Sequence, residues 1–193
     1  MRWPLFGLLA LAPLAALAAE YEIDPAHSGA HFTVRHMMVA NVRGDFAKLT
    51  GKVNWDPDNV AASSVVAVVD ANSINTGEPK RDAHLKSPDF FDTAKYPTLT
   101  FRSKRVWREG GKLKLAGDLT IHGVTKEVVL EVEGPSPEIK DQRGAFRTGA
   151  TATGKINRKD FGLTWNRALE TGGVVVGDEV AVTIDVAMVR KAQ

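Results

Sequence analysis

Apolar and polar residues alternate with a period of two along most of the chain, and helical periodicity hardly appears. "AHFTVRH" sets Phe32 and Val34 on one face against His31, Thr33 and Arg35 on the other. "KLTGKVNW" alternates Leu49, Gly51, Val53 and Trp55 with Thr50, Lys52 and Asn54. "SSVVAVVDA" is more continuously apolar, and "TLTFRSKRVW" carries Leu99, Phe101 and Trp107 in one register. "KLKLAGDLTI" sets Leu113, Leu115, Leu119 and Ile121 against polar partners, and "VTKEVVLEVE" does the same with Val124, Val128, Leu130 and Val132. "AFRTGATATGKIN" alternates weakly, whereas "VAVTIDVAM" alternates well through Val180, Val182, Ile184, Val186 and Met188. This pattern predicts about eight half-buried strands.

The connections are of two kinds. Asp56–Asn59, Glu109–Gly111 and His122–Gly123 are tight-turn chemistry, and 134–144 is a Pro/Gly loop. The segments 73–97 and 158–178 are long, and long ordered connections within one domain are usually functional. An all-β antiparallel barrel of about eight strands is the expected fold, with a sandwich as the alternative. If the strands run up and down, 37–44, 73–97, 122–123 and 158–178 all open at one mouth. The charged stretch 79–97, expected to be partly helical, would then cover that mouth. Gly51, Gly117, Ala150, Ala152 and Gly154 fall in the inward register, where small residues either leave space or fit the taper.

The N-terminus changes the picture of where the barrel works. Arg2 precedes an apolar run from Leu5 to Leu17 that closes on an Ala16-Leu17-Ala18 cleavage pattern, which predicts a secretory signal over residues 1–18. Residues 19–193 then form one domain, expected in the periplasm or medium. Without Arg2, 24 of the 25 basic residues face 23 acidic ones, a balance that gives no general attraction for nucleic acid or membranes. No later segment is apolar enough for stable membrane insertion. The chain has no cysteine, which excludes disulfides, thiol catalysis and thiolate metal sites and leaves a hydrophobic core to hold the fold.

Candidate chemistry is sparse. "GATATGKI" matches a phosphate-binding spacing, but Ile156 stands where magnesium needs a hydroxyl, and the segment reads as strand. His27, His31 and His36 do not converge on a strand, so no metal is expected. Asp82, His84, Asp89 and Asp92 imitate an acid/base cluster that loop surface charge also explains. Phe90 and Phe91 read as anchors pinning the loop to the barrel. Arg81-Asp82 and "NRKDFG" (157–162) are either ion pairs holding the loops or a polar collar for an anionic head group.

Several stretches together resemble the YceI-like polyisoprenoid-binding family: "DPAHSGAHFTVRH", "GDF", "TGEPKRDAHLKSPDFFDTAKYPTLTF", "GDLTIHGVTKEVVLEV", "INRKDFGL" and "VGDEVAVTIDV". The resemblance spans essentially the whole chain after the leader. It implies an exported, lipocalin-like, non-enzymatic barrel that encloses an isoprenoid or other long amphiphilic lipid, with no cofactor and with a homodimer as a common state. An enzyme acting on such a lipid is the alternative. The head-group candidates are His36, Arg81, Asp82, His84, Arg158 and Asp160. The expected cavity lining is Phe32, Val34, Leu49, Val53, Phe90, Phe101, Leu113, Leu115, Leu130, Val182 and Ile184.

Overall fold

The computed structural model describes residues 18–170 and 172–191, so the leader proposed for 1–18 lies almost wholly outside the described residues. The strands are β1 Ala19–Ile23, β2 Gly29–His36, β3 Ala40–Phe46, β4 Leu49–Trp55, β5 Ser64–Asp70 and β6 Ile74–Asn75. After helix α1, Pro79–Lys86, come β7 Thr98–Glu109, β8 Lys112–Ile121, β9 Val124–Glu133, β10 Ile139–Lys140, β11 Phe146–Asn157 and β12 Val176–Arg190. All pairings are antiparallel, and β11 pairs with β12 to close the sheet.

Ten of the twelve strands occupy eight barrel positions, because two positions are broken. β1 and β2 share one flank of β12: Tyr21–Ile23 lie opposite Met188–Arg190, and Gly29–His36 lie opposite Val176–Asp185. Between them the Ser28 hydroxyl accepts from Ala187 N–H (3.0 Å), standing in for a ladder bond through the break. β3 and β4 form the next position, interrupted at 47–48. β5, β7, β8, β9, β11 and β12 complete the ring, while β6 and β10 are two-residue additions at its edges.

Two expectations are corrected here. Residues 40–46 are a strand, which reduces the expected 37–44 loop to a tight turn. The β7–β8 register shifts between Ser103 and Arg105. That bulge turns Val106 into the core, and Trp107 stacks on Arg105 on the outer face, with the guanidinium 4.5 Å from the ring centroid.

The small inward residues divide by role. A Cβ on Gly117 would meet the Phe101 ring at 2.5 Å, and one on Gly154 would meet Leu130 at 2.7 Å. Those glycines admit neighbouring side chains. Ala150 and Ala152 instead face open space within the barrel.

The long connections do gather at one mouth. α1 begins with Pro79 and is capped by Glu78, whose carboxylate accepts from Lys80 N–H (3.1 Å) and Arg81 N–H (2.6 Å). The helix ends where the Ser87 hydroxyl donates to His84 O (2.7 Å). Phe90 is then buried against His84 and Trp165, so this loop is fastened to the 158–175 connection rather than left in solvent.

Candidate ligand-binding cavities

Two cavities share no lining residue. The first, about 180 Å³, lies inside the barrel. Leu49, Val53, Phe101, Leu113, Leu115, Leu130 and Ile184 line it as expected from their alternation. Trp55, Val65, Val69, Val128, Val132, Val186 and Met188 join them. Asn54, Ser63 and Thr100 are the polar residues at its wall, and no ionisable residue lines it. A site of this kind gains affinity from apolar surface and offers nothing to a charge.

The second cavity, about 340 Å³, lies under the covered mouth between α1, the β2–β3 hairpin and the 158–175 connection. Phe32, Val34 and Phe90 line it, which places three expected barrel-lining residues in a different chamber. His36, Arg81 and His84 line it too, with Arg35 and Lys80, and no carboxylate is among its walls. Trp165, Leu85, Val42, Val175 and Val176 supply its apolar surface. Sequence reading did not place Trp165 here; its signal was a lone large aromatic within a polar loop.

An aromatic layer separates the chambers. Phe46 touches Phe32 (centroids 5.9 Å) and meets Phe91 edge-on (5.5 Å), and Phe91 packs on the buried cluster Ile121, Phe161 and Leu163. Leu99, Leu119 and Val128 touch the same cluster from below and line the barrel cavity. Val182 lines neither chamber. It stands opposite Phe32 across the β2–β12 ladder, at the level of these rings.

The remaining head-group candidates have other partners. Arg158 is 4% exposed, and its five N–H donors are all used. Nε donates to Gly177 O (2.9 Å), Nη1 to Leu163 O and to Trp165 O (3.0 Å), and Nη2 to Val176 O (3.3 Å) and Asp178 Oδ1 (3.4 Å). Burial pushes its pKa below the usual guanidinium value, with the Asp178 carboxylate opposing. Arg158 therefore holds the 158–178 connection and leaves no donor for a ligand.

Asp82 accepts from the backbone N–H (2.9 Å) and hydroxyl (2.5 Å) of Thr76. Arg81 grips the same residue, Nε on Oγ1 (2.8 Å) and Nη2 on the carbonyl (2.9 Å), so it fastens the helix while lining the second chamber. Asp160 is exposed and lines neither chamber. His84 Nε2 lies 2.8 Å from Asp89 Oδ2, and its ring stands edge-on to Trp165. His27 pairs with Asp24 and His31 lies 3.7 Å from Asp185, so the three N-terminal histidines part ways. No cluster of three potential metal ligands occurs among the described residues.

A closed eight-position antiparallel barrel around an apolar cavity, roofed by a helical loop, is the lipocalin-like architecture. Residues 21–188 match the YceI-like domain. The chain belongs to the YceI-like family. A UPF0312 protein of Vibrio cholerae is 42% identical over 154 residues, covering 78% of this chain and 81% of the relative. One from Staphylococcus aureus is 39% identical over 160 residues, covering 83% and 91%.

Among solved structures, Burkholderia cenocepacia BcnA superposes with a TM-score of 0.72 at 25% identity, over 86% of this chain and 98% of that one. The Campylobacter jejuni YCEI protein gives 0.66 at 31% identity, over 82% and 90%. A polyisoprenoid binding domain from Saccharophagus degradans shares the fold, with a TM-score of 0.64 at 20% identity over 91% and 100%.

Proposed function

We propose that this protein encloses the apolar chain of an isoprenoid or similar amphiphilic lipid within its barrel, as a carrier or store. The observation that carries the reading is the interior cavity: apolar around its wall, without an ionisable residue, in a closed barrel. Each buried methylene contributes roughly 0.8 kcal/mol, so a few isoprene units hold a ligand without help from a head group. The Saccharophagus degradans domain of the same fold, a polyisoprenoid binding domain, supports the same reading.

The polar end of the ligand is assigned to the second chamber, with His36, Arg81 and His84 at its walls. A chain that reaches both chambers parts the Phe46–Phe91 layer on entry. The apolar N-terminal run and its Ala-x-Ala pattern support export to the periplasm or medium. A barrel cavity lined by apolar side chains, with no ionisable residue, supports binding of an apolar chain.

Organic extraction of protein purified from its native compartment, followed by mass spectrometry, tests the proposal. A stoichiometric long-chain lipid is the expected result. An extract without lipid, from protein that also fails to take up isoprenoid alcohols or quinones from micelles, would refute it.

A further inference from the structure

One exposed feature belongs to neither chamber. Met37, Met38 and Val39 are consecutive and 46%, 52% and 77% exposed, at the tip of the β2–β3 hairpin. Val39 N–H donates to His36 O (3.1 Å), and both central methionines carry positive φ (48° and 62°). A turn with that backbone favours Asn-Gly, so its geometry does not call for methionine. The apolar character therefore needs another reason, and a contiguous exposed apolar tip is the mark of a contact surface.

The tip is tied to the mouth. Met37 N–H donates to Val175 O (2.7 Å), and Val175 N–H donates to Arg167 O (3.0 Å), which joins hairpin and 167–175 connection into one surface. Arg35, whose Nε donates to Met38 O (3.1 Å), and Arg43 lie on the same hairpin, Arg167 lies on the connection bonded to it, and Lys80 lines the chamber that the hairpin walls; none of the four takes part in an ion pair among the described residues. Glu170 on the adjoining turn, Glu78 at the start of α1 beside Lys80, and Asp45 two residues along β3 from Arg43 are the carboxylates set against these four cations. The hairpin also forms a wall of the second chamber through Val34, Arg35, His36 and Val42.

An apolar tip inside a basic rim complements a bilayer that presents anionic head groups above hydrocarbon. We propose that the Met37–Val39 tip docks the protein transiently on an anionic bilayer, which brings the covered mouth against the lipid it loads or delivers. The purpose of docking rests on the lipid-binding reading; its test does not.

The experiment uses the mature chain with vesicles of phosphatidylethanolamine and phosphatidylglycerol, or of phosphatidylcholine alone, scored by flotation. Met37→Asn with Met38→Gly and Val39→Thr removes the apolar tip with residues the turn prefers, so the fold is retained, as thermal melts will verify. Wild type should float with the anionic vesicles alone, and the triple variant should bind about tenfold more weakly or worse. Arg43→Gln with Arg167→Gln should weaken binding and flatten its salt dependence. Uptake of lipid from detergent micelles should be unchanged in the tip variant, while transfer from vesicles slows.

Equal flotation of wild type and tip variant, or none by wild type, overturns the proposal. So does a wild-type dimer that the tip variant turns into a monomer, since the tip would then be a subunit interface. Docking without any lipid uptake would refute the carrier reading and leave the docking surface standing.

Discussion

Arg158 is the sharpest place to separate holding the fold from holding the ligand. Replacing it by Met keeps the apolar stem and removes five N–H donors together. The carbonyls of Leu163, Trp165 and Gly177 then lose that donor in a site where the side chain was almost fully buried, Val176 O keeps the Asn166 amide (2.7 Å), and Asp178 loses one of its two cationic partners. Leaving three carbonyls without a donor costs about 1–3 kcal/mol each, about 3 kcal/mol or more together, and each kcal/mol moves the melting point of a chain this size by about 2–4 °C. Arg158→Met should therefore melt at least about 6 °C lower in a circular-dichroism scan. Arg158→Lys keeps the charge but not the planar fork and should recover only part of the loss. At temperatures where both variants are folded, their preference between diphosphate-headed and neutral isoprenoids should equal that of wild type. A variant that melts within about 2 °C of wild type, yet selectively loses the diphosphate ligand, would refute the structural assignment.

Three further outcomes are expected. Ala150→Leu with Ala152→Leu fills the barrel cavity, so quinone or isoprenoid affinity measured by fluorescence displacement should drop about tenfold or more without loss of stability; unchanged affinity would place the chain elsewhere. Gly117→Ala drives a methyl into the Phe101 ring and Arg102 carbonyl and should cost about 1–3 kcal/mol in urea unfolding, whereas a neutral result would mean that β7 and β8 readily shift. Hydrogen bonds from His27 and then Arg147 hold the Asp24 carboxyl at about 2, below its ordinary 3.8. Because the folded value is the lower one, its stabilisation is present above about pH 4 and is lost as pH falls toward 2. Asp24→Asn should then cost about 1 kcal/mol at neutral pH and close to nothing at pH 2, and an equal cost at both would contradict the linkage.

The alternation of Leu49 with Val53, of Leu113 with Leu115, and of Val128 with Leu130 determined by itself that these strands would each bury one face. Turn chemistry and strand parity then put the long connections at one mouth. Such features are local, because side-chain period and turn dihedrals are properties of a few consecutive residues. The proposal of a secretory leader rests on equally local features, the apolar run from Leu5 to Leu17 and its Ala-x-Ala pattern.

What the tertiary structure decided depends on partners distant in sequence. Trp107 shares its alternation with Phe101, yet the bulge at Ser103–Arg105 sends it to the opposite face, a shift that only the pairing with β8 defines. Phe32 and Val34 alternate as barrel residues should, but the break at 24–28 carries β2 away from the barrel interior toward the second chamber. Arg158 beside Asp160 reads equally as collar or clamp. It became a clamp because the folded 163–178 backbone converges five oxygens on it, most of them carbonyls, which every residue type carries and no sequence pattern marks.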